Sequence, residues 1–160
     1  MRPANIVTAI ADILAGVAIS GYFIHVTFST LTLDITLPVV CLCLATIGLY
    51  GGGVVFNDVF DATLDSTERP ERPIPSGVIS KTQAIILGSY LLLVGVLAAF
   101  SVGRLTGYAG WLAIGVAASA LVYNKWGKHH DFLGPFNMGL CRGLNLLLGI
   151  SIVPGALETY

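Results

Sequence analysis

Five apolar stretches run through the chain, at about residues 5–27, 35–56, 83–101, 107–123 and 135–157, with short polar segments between them. Each is near the ~20 residues that a helix rising 1.5 Å per residue needs to cross ~30 Å of hydrocarbon. None alternates with the period of two that marks a strand, and lipid admits only helices or closed barrels. The pattern predicts an all-α, polytopic transmembrane bundle of about five helices, forming a single membrane domain over residues 1–160. The fourth stretch is the shortest, and the fifth carries Asn137, Arg142 and Asn145. The first is too long to be the apolar core of a cleaved signal peptide.

Composition agrees. The chain is 55% hydrophobic and 11% charged, with a mean hydropathy of +0.83, whereas a soluble domain carries roughly a quarter charged residues. A net charge of −1 excludes a basic nucleic-acid binder. Cys41, Cys43 and Cys141 lie inside apolar runs, which is neither a disulfide framework nor a zinc site. The positive charges are clustered. If Arg2 is cytoplasmic, so are segments 57–82, with Arg69, Arg72 and Lys81, and 124–134, with Lys125 and Lys128, while Arg104 falls outside. The positive-inside rule therefore predicts a multi-pass protein with its acidic segment facing the cytoplasm, as in a bacterial inner membrane. The two charged segments face one compartment, so a joint site is open to them.

The acidic segment reads Asn57-Asp58-Val59-Phe60-Asp61-Ala62-Thr63-Leu64-Asp65. If the second helix continues past Phe56, residues 57, 61 and 65 follow one another at i, i+4 and i+8 and share a face. Like charges at that spacing repel, so the arrangement costs stability unless a cation sits there. Hard divalent ions want oxygen ligands, and Mg²⁺ typically takes one or two carboxylates and completes its shell with water or phosphate oxygens. Arg69 and Arg72 follow closely and suit phosphate oxygens. An EF-hand fails for want of its Gly and terminal Glu at the right offsets. A P-loop fails because no Gly-Lys-Ser/Thr follows Gly51-Gly52-Gly53. Gly48-x-x-x-Gly52 instead fits close helix approach.

Taken together, Asn57-Asp58-x-x-Asp61-x-x-x-Asp65 and Arg69-Pro70-x-Arg72-Pro73-x-Pro75-Ser76-Gly77 resemble the first aspartate-rich motif of the UbiA superfamily of intramembrane prenyltransferases. Arg2-Pro3-x-Asn5 and Ala11-Asp12-x-x-Ala15-Gly16 resemble that family's first helix. The resemblance implies an all-helical bundle around a cavity open to lipid. It implies Mg²⁺-dependent transfer of a prenyl group from a prenyl diphosphate to a lipophilic acceptor, commonly aromatic or ring-bearing. Carried over by position, Asn57, Asp61 and Asp65 hold Mg²⁺, with Asp58 a further candidate, and Asp61 and Asp65 serve catalysis. Arg69 and Arg72 contact the diphosphate. Lys128, in Tyr123-Asn124-Lys125-Trp126-Gly127-Lys128, is set against the family's Tyr-then-Lys element, with Lys125 as its rival. Arg142 joins the diphosphate-binding candidates.

Asp12 falls within the first stretch. A lone carboxylate there costs on the order of 3 kcal/mol on insertion scales, so it should be paired, protonated or cavity-facing; Arg142 is a candidate partner, and a functional or cavity role stands against a purely structural ion pair. Asn137, Arg142 and Asn145 are read as cavity-lining, against the alternative of polar contacts between helices. His25, His129 and His130 read as interfacial polar residues. Family members usually carry a second aspartate-rich motif on a later helix, and no second Asp-x-x-x-Asp follows Asp65. The resemblance thus covers the family's N-terminal half. The chain is expected to be an incomplete piece, inactive by itself and lacking a C-terminal half. The rival expectations are a half-size protein that needs a partner and a non-catalytic membrane protein that keeps a prenyl-diphosphate site. The Asp-Gly-x-x-Ala-Arg lead-in of CDP-alcohol phosphotransferases is absent.

Overall fold

The computed structural model describes residues 3–24, 26 and 32–153. Arg2, His25, the segment 154–160 with Glu158, and the side chains of Arg104 and His129 lie outside the described residues. All regular structure among the described residues is helical: α1 (Pro3–Ile19), α2 (Leu33–Glu68), α3 (Lys81–Thr106), α4 (Ala109–Lys125) and α5 (Leu133–Ile150), with one 3₁₀ turn at Gly127–His129 before α5. Two helices are long and apolar enough to cross a membrane, α2 and, over Lys81–Val102, α3; the apolar run Asn5–Ile19 is shorter.

Local chemistry sets the ends. The expected first stretch is cut at Ile19, because Ser20 turns its hydroxyl onto the Val17 carbonyl (2.7 Å) and Gly21 takes φ +73°, a left-handed stop that glycine accepts at little cost. The second stretch extends the other way. With no glycine or proline between Gly53 and Pro70, α2 runs on through the acidic segment to Glu68. A reciprocal capping box starts α3: the Gln83 amide donates to Ser80 Oγ (3.2 Å) and the Ser80 amide to Gln83 Oε1 (2.9 Å). The fifth helix stops at Ile150 rather than running to 157.

Glycines bring the helices together. A Cβ on Gly48 would stand 2.8 Å from the Leu91 carbonyl oxygen, and one on Gly95 2.8 Å from that of Ala45. The close helix approach that Gly48-x-x-x-Gly52 suggested is thus in place, with α3 as the partner of α2. Gly16 and Gly149 do the same for α1 against α5. Ile13, Val17, Leu42, Leu49 and Leu148 fill the core, whereas Leu33, Ile86, Leu93 and Phe132 cover the outside. That outward apolar surface is what a lipid environment accommodates.

One polar knot crosses this core. The Asn145 amide donates to the Ala9 carbonyl (2.8 Å), and its Oδ1 accepts the Thr46 hydroxyl (2.8 Å). Asn145 is buried, so the cavity-lining role expected for it is corrected: it ties α1, α2 and α5 together. Replacing Asn145 with alanine should lower stability by about 1 kcal/mol, by loss of two buried hydrogen bonds partly offset by new partners. Unfolding in mixed detergent micelles will read the change, and an unaltered midpoint would discount the knot.

Candidate functional site

The continued helix α2 presents Asn57, Asp61, Asp65 and Asp58 within an arc of about 100°, at 3.6 residues per turn. Asp58 closes the arc beside Asp65, since i and i+7 lie about 20° apart on a helix. Wheel arithmetic on the sequence thus puts Asp58 on the same face as the other three.

The expected repulsion between these acids is answered from within the chain. Lys128 Nζ reaches Asn57 Oδ1 at 3.3 Å and forms a close ion pair with Asp61. Arg72 Nη1 bridges Asp58 (3.1 Å) and Asp65 (2.8 Å). Asp65 is almost fully buried, so its charge needs that partner. Asn57 and Asp61 therefore share one cation, and Asp58 and Asp65 another.

The two cations arrive by different routes. Arg72 is folded back onto α2 by a stiff turn sequence. Pro70, Pro73 and Pro75 fix three φ angles, the Ser76 amide donates to the Arg72 carbonyl (2.9 Å), the Ile79 amide to that of Pro73 (3.1 Å), and Gly77 takes φ +76°. Arg69 differs. Its backbone amide caps α2 on the Asp65 carbonyl (2.8 Å), while its side chain is exposed and has no ion pair among the described residues. Lys128 comes from the 3₁₀ turn after α4, so the two charged segments do meet in one site. Lys125 does not join it; its ammonium lies 4.2 Å from the centre of the Trp126 ring.

Arg142 is placed elsewhere. Its Nε and Nη2 donate to the two carboxylate oxygens of Asp12, at 3.2 and 2.9 Å. Of the alternatives open to Asp12, the structure has the ion pair with Arg142, roughly two and a half turns into α5. Asn137 is buried and lines an apolar cleft of about 330 Å³ between α4 and α5, with Val122, Trp126, Phe136 and Leu140. Sequence reading gave Asn124 no role. It is buried and donates to the Gly53 carbonyl at 2.7 Å; an asparagine one turn before a site lysine was the available signal.

Among the described residues no three of His, Cys, Asp and Glu stand together as a self-sufficient metal cage. The donor set is nonetheless hard oxygen throughout, and its carboxylates are charge-compensated by the Lys128 and Arg72 side chains. That suits a Mg²⁺ ion held by one or two carboxylates and finished by phosphate oxygens, not an all-protein metal site.

A family model described as the UbiA prenyltransferase family matches residues 10–159. The digeranylgeranylglyceryl phosphate synthase of Methanothermobacter thermautotrophicus is 33% identical over 150 residues, 93% of this chain and 48% of that protein. The enzyme of the same name from Methanosarcina mazei is 36% identical over 102 residues, 64% of this chain and 34% of that protein. A solved structure described as giving structural and mechanistic insights into the biosynthesis of digeranylgeranylglyceryl phosphate synthase in membranes matches with TM-score 0.77 and 27% identity, over 92% of this chain and 49% of that one. The chain spans about a third to a half of the length of these relatives.

Proposed function

The chain belongs to the UbiA prenyltransferase family, and from that membership we propose that it carries the diphosphate-gripping half of an intramembrane prenyl-transfer site. The observation that carries the reading is the acid arc of Asn57, Asp58, Asp61 and Asp65 with Lys128 and Arg72 already seated on it. Five helices cross the bilayer in this reading, and the arc faces the cytoplasm. Residues 1–160 act as one membrane domain corresponding to the N-terminal half of longer relatives.

In the proposed reaction the bond between the allylic carbon and the diphosphate oxygen breaks, the electron pair leaving with diphosphate. An acceptor hydroxyl oxygen bonds to that carbon and gives up its proton to the released diphosphate. Asn57, Asp61 and Asp65 would hold Mg²⁺, with Asp58 beside them. Bound there, Mg²⁺ supplies charge neutralisation to the departing diphosphate. Lys128 and Arg72 leave their carboxylates for phosphate oxygens, and exposed Arg69 adds a third cation. The cations thus balance the arc before the donor binds and grip the donor afterwards. The relatives are named for a glyceryl phosphate product, which favours a hydroxyl-bearing polar lipid as acceptor over an aromatic ring. Arg142, locked to Asp12, braces α1 against α5 in this reading and stays apart from the diphosphate.

The second reading is a non-catalytic protein that binds prenyl diphosphate, a role the charge-compensated arc serves equally well. Prenyl transfer from radiolabelled geranylgeranyl diphosphate to a prenylated glyceryl phosphate, measured with the chain supplied with the C-terminal half of a longer relative and alongside binding of inorganic diphosphate, separates the two: binding with no turnover in that complemented protein selects the second. Lys128→Met should weaken diphosphate binding about tenfold, the loss of one charge-assisted contact worth ~1.4 kcal/mol. Calorimetry in Mg²⁺ reads it, and an unchanged affinity would remove Lys128 from the site.

A further inference from the structure

Resting on the site reading above, we infer that Asn124 is a positioning residue that sets Lys128 opposite Asn57 and Asp61 by pinning α4 to α2 one turn earlier. Three contacts join α4 and the turn that follows it to α2. Ala120 Cβ lies 3.6 Å from where a Cβ on Gly53 would be. Asn124 Nδ2 donates to the Gly53 carbonyl at 2.7 Å. Lys128 Nζ meets Asn57 Oδ1 at 3.3 Å. The second and third contacts both join residues 71 apart in sequence, so each steps four residues along its own chain segment. Two helical segments running the same way at constant offset give that pattern.

Asn124 suits the task chemically. Its side chain is buried at 6% exposure, where an unpaired amide is costly, so its donor is held on the carbonyl. Gly53 is the residue whose carbonyl takes the Asn57 backbone amide in the i→i−4 ladder. One carbonyl oxygen therefore carries both the residue that supports Lys128 and the first residue of the acid arc.

The segment between Asn124 and Lys128 gives little slack. The Trp126 amide donates to the Val122 carbonyl (3.0 Å) and the His130 amide to that of Gly127 (3.1 Å). On the other side, a Cβ on Gly127 would stand 3.3 Å from Asn137 Nδ2 and one on Gly134 3.3 Å from the Gly127 carbonyl oxygen, so the turn is seated on α5. A shift of the α4 end at Asn124 is thus transmitted to Lys128.

The test is a double-mutant cycle on the full chain in nanodiscs, with inorganic diphosphate and saturating Mg²⁺ as the probe. Asn124→Ala should weaken diphosphate binding three- to tenfold. In a Lys128→Met background the same change should have no further effect, within twofold. Asn124→Ser, a smaller disturbance, is run beside it, and near-unchanged helical content qualifies either variant for the cycle. Independent, multiplying losses, or no loss from either Asn124 variant, overturn the positioning role. If Lys128→Met and Asp61→Asn both leave diphosphate binding intact, the site reading itself fails, a distinct outcome.

Discussion

With the chain supplied with the C-terminal half of a longer relative, Asp61→Asn should reduce prenyl transfer by on the order of a thousandfold, the several kcal/mol expected when one metal-phosphate ligand is lost from a charge-stabilised transition state. Asp61 is the hinge of the arc: it faces Asn57 one turn before and Asp65 one turn after, and it takes the ion pair from Lys128. Asparagine keeps the shape and one acceptor oxygen but removes the charge that a Mg²⁺–diphosphate complex needs. Asp58→Asn should cost far less, about tenfold, because Asp65 still holds Arg72 at 2.8 Å. Initial rates of geranylgeranyl transfer for the two variants, with diphosphate affinity measured in parallel, check the ordering. Full activity in Asp61→Asn would end the assignment of this arc to the chemistry.

Much of this site was legible because it is local. Asn57, Asp58, Asp61 and Asp65 sit on one helix, so a period of 3.6 is enough to bring them together once α2 is known to continue to Glu68. The continuation follows from the lack of glycine and proline after Gly53. The Asp12–Arg142 pair was legible only as one alternative, since a carboxylate in an apolar run can be paired, protonated or turned to a cavity. What the sequence could not fix is long-range register. That Lys128 rather than Lys125 meets the arc depends on how far α4 slides along α2, and that is decided by Asn124 on Gly53. Asn145 was misread for the same reason: polarity within an apolar run marks a need for a partner, while the identity of that partner, Thr46 and the Ala9 carbonyl, is a matter of packing. The helix ends at Ile19 and Ile150 were overrun because hydropathy continues past the point where the helical ladder gives way to turns.

Gly149→Ala should destabilise the bundle by about 3 kcal/mol, the cost of forcing a methyl group into packed backbone. A Cβ there would lie 2.3 Å from the Ile13 carbonyl oxygen and 3.0 Å from Gly16 Cα. Both neighbours are main chain, so no rotamer change relieves the clash and α1 must move away from α5. The consequences reach past that contact. Asn145 donates to Ala9 on α1 and Arg142 pairs with Asp12 on α1, so separating the helices strands an amide and two charges together. Gly139→Ala and Gly143→Ala are the matched controls. Nothing stands within 4 Å of a Cβ at either position, and replacing a helical glycine by alanine in open space favours the helix by up to about 1 kcal/mol. The same substitution on the same helix should therefore change sign with position. Unfolding midpoints of the three variants in detergent decide it: a common small effect would mean that α1 does not pack on α5 through Gly16 and Gly149.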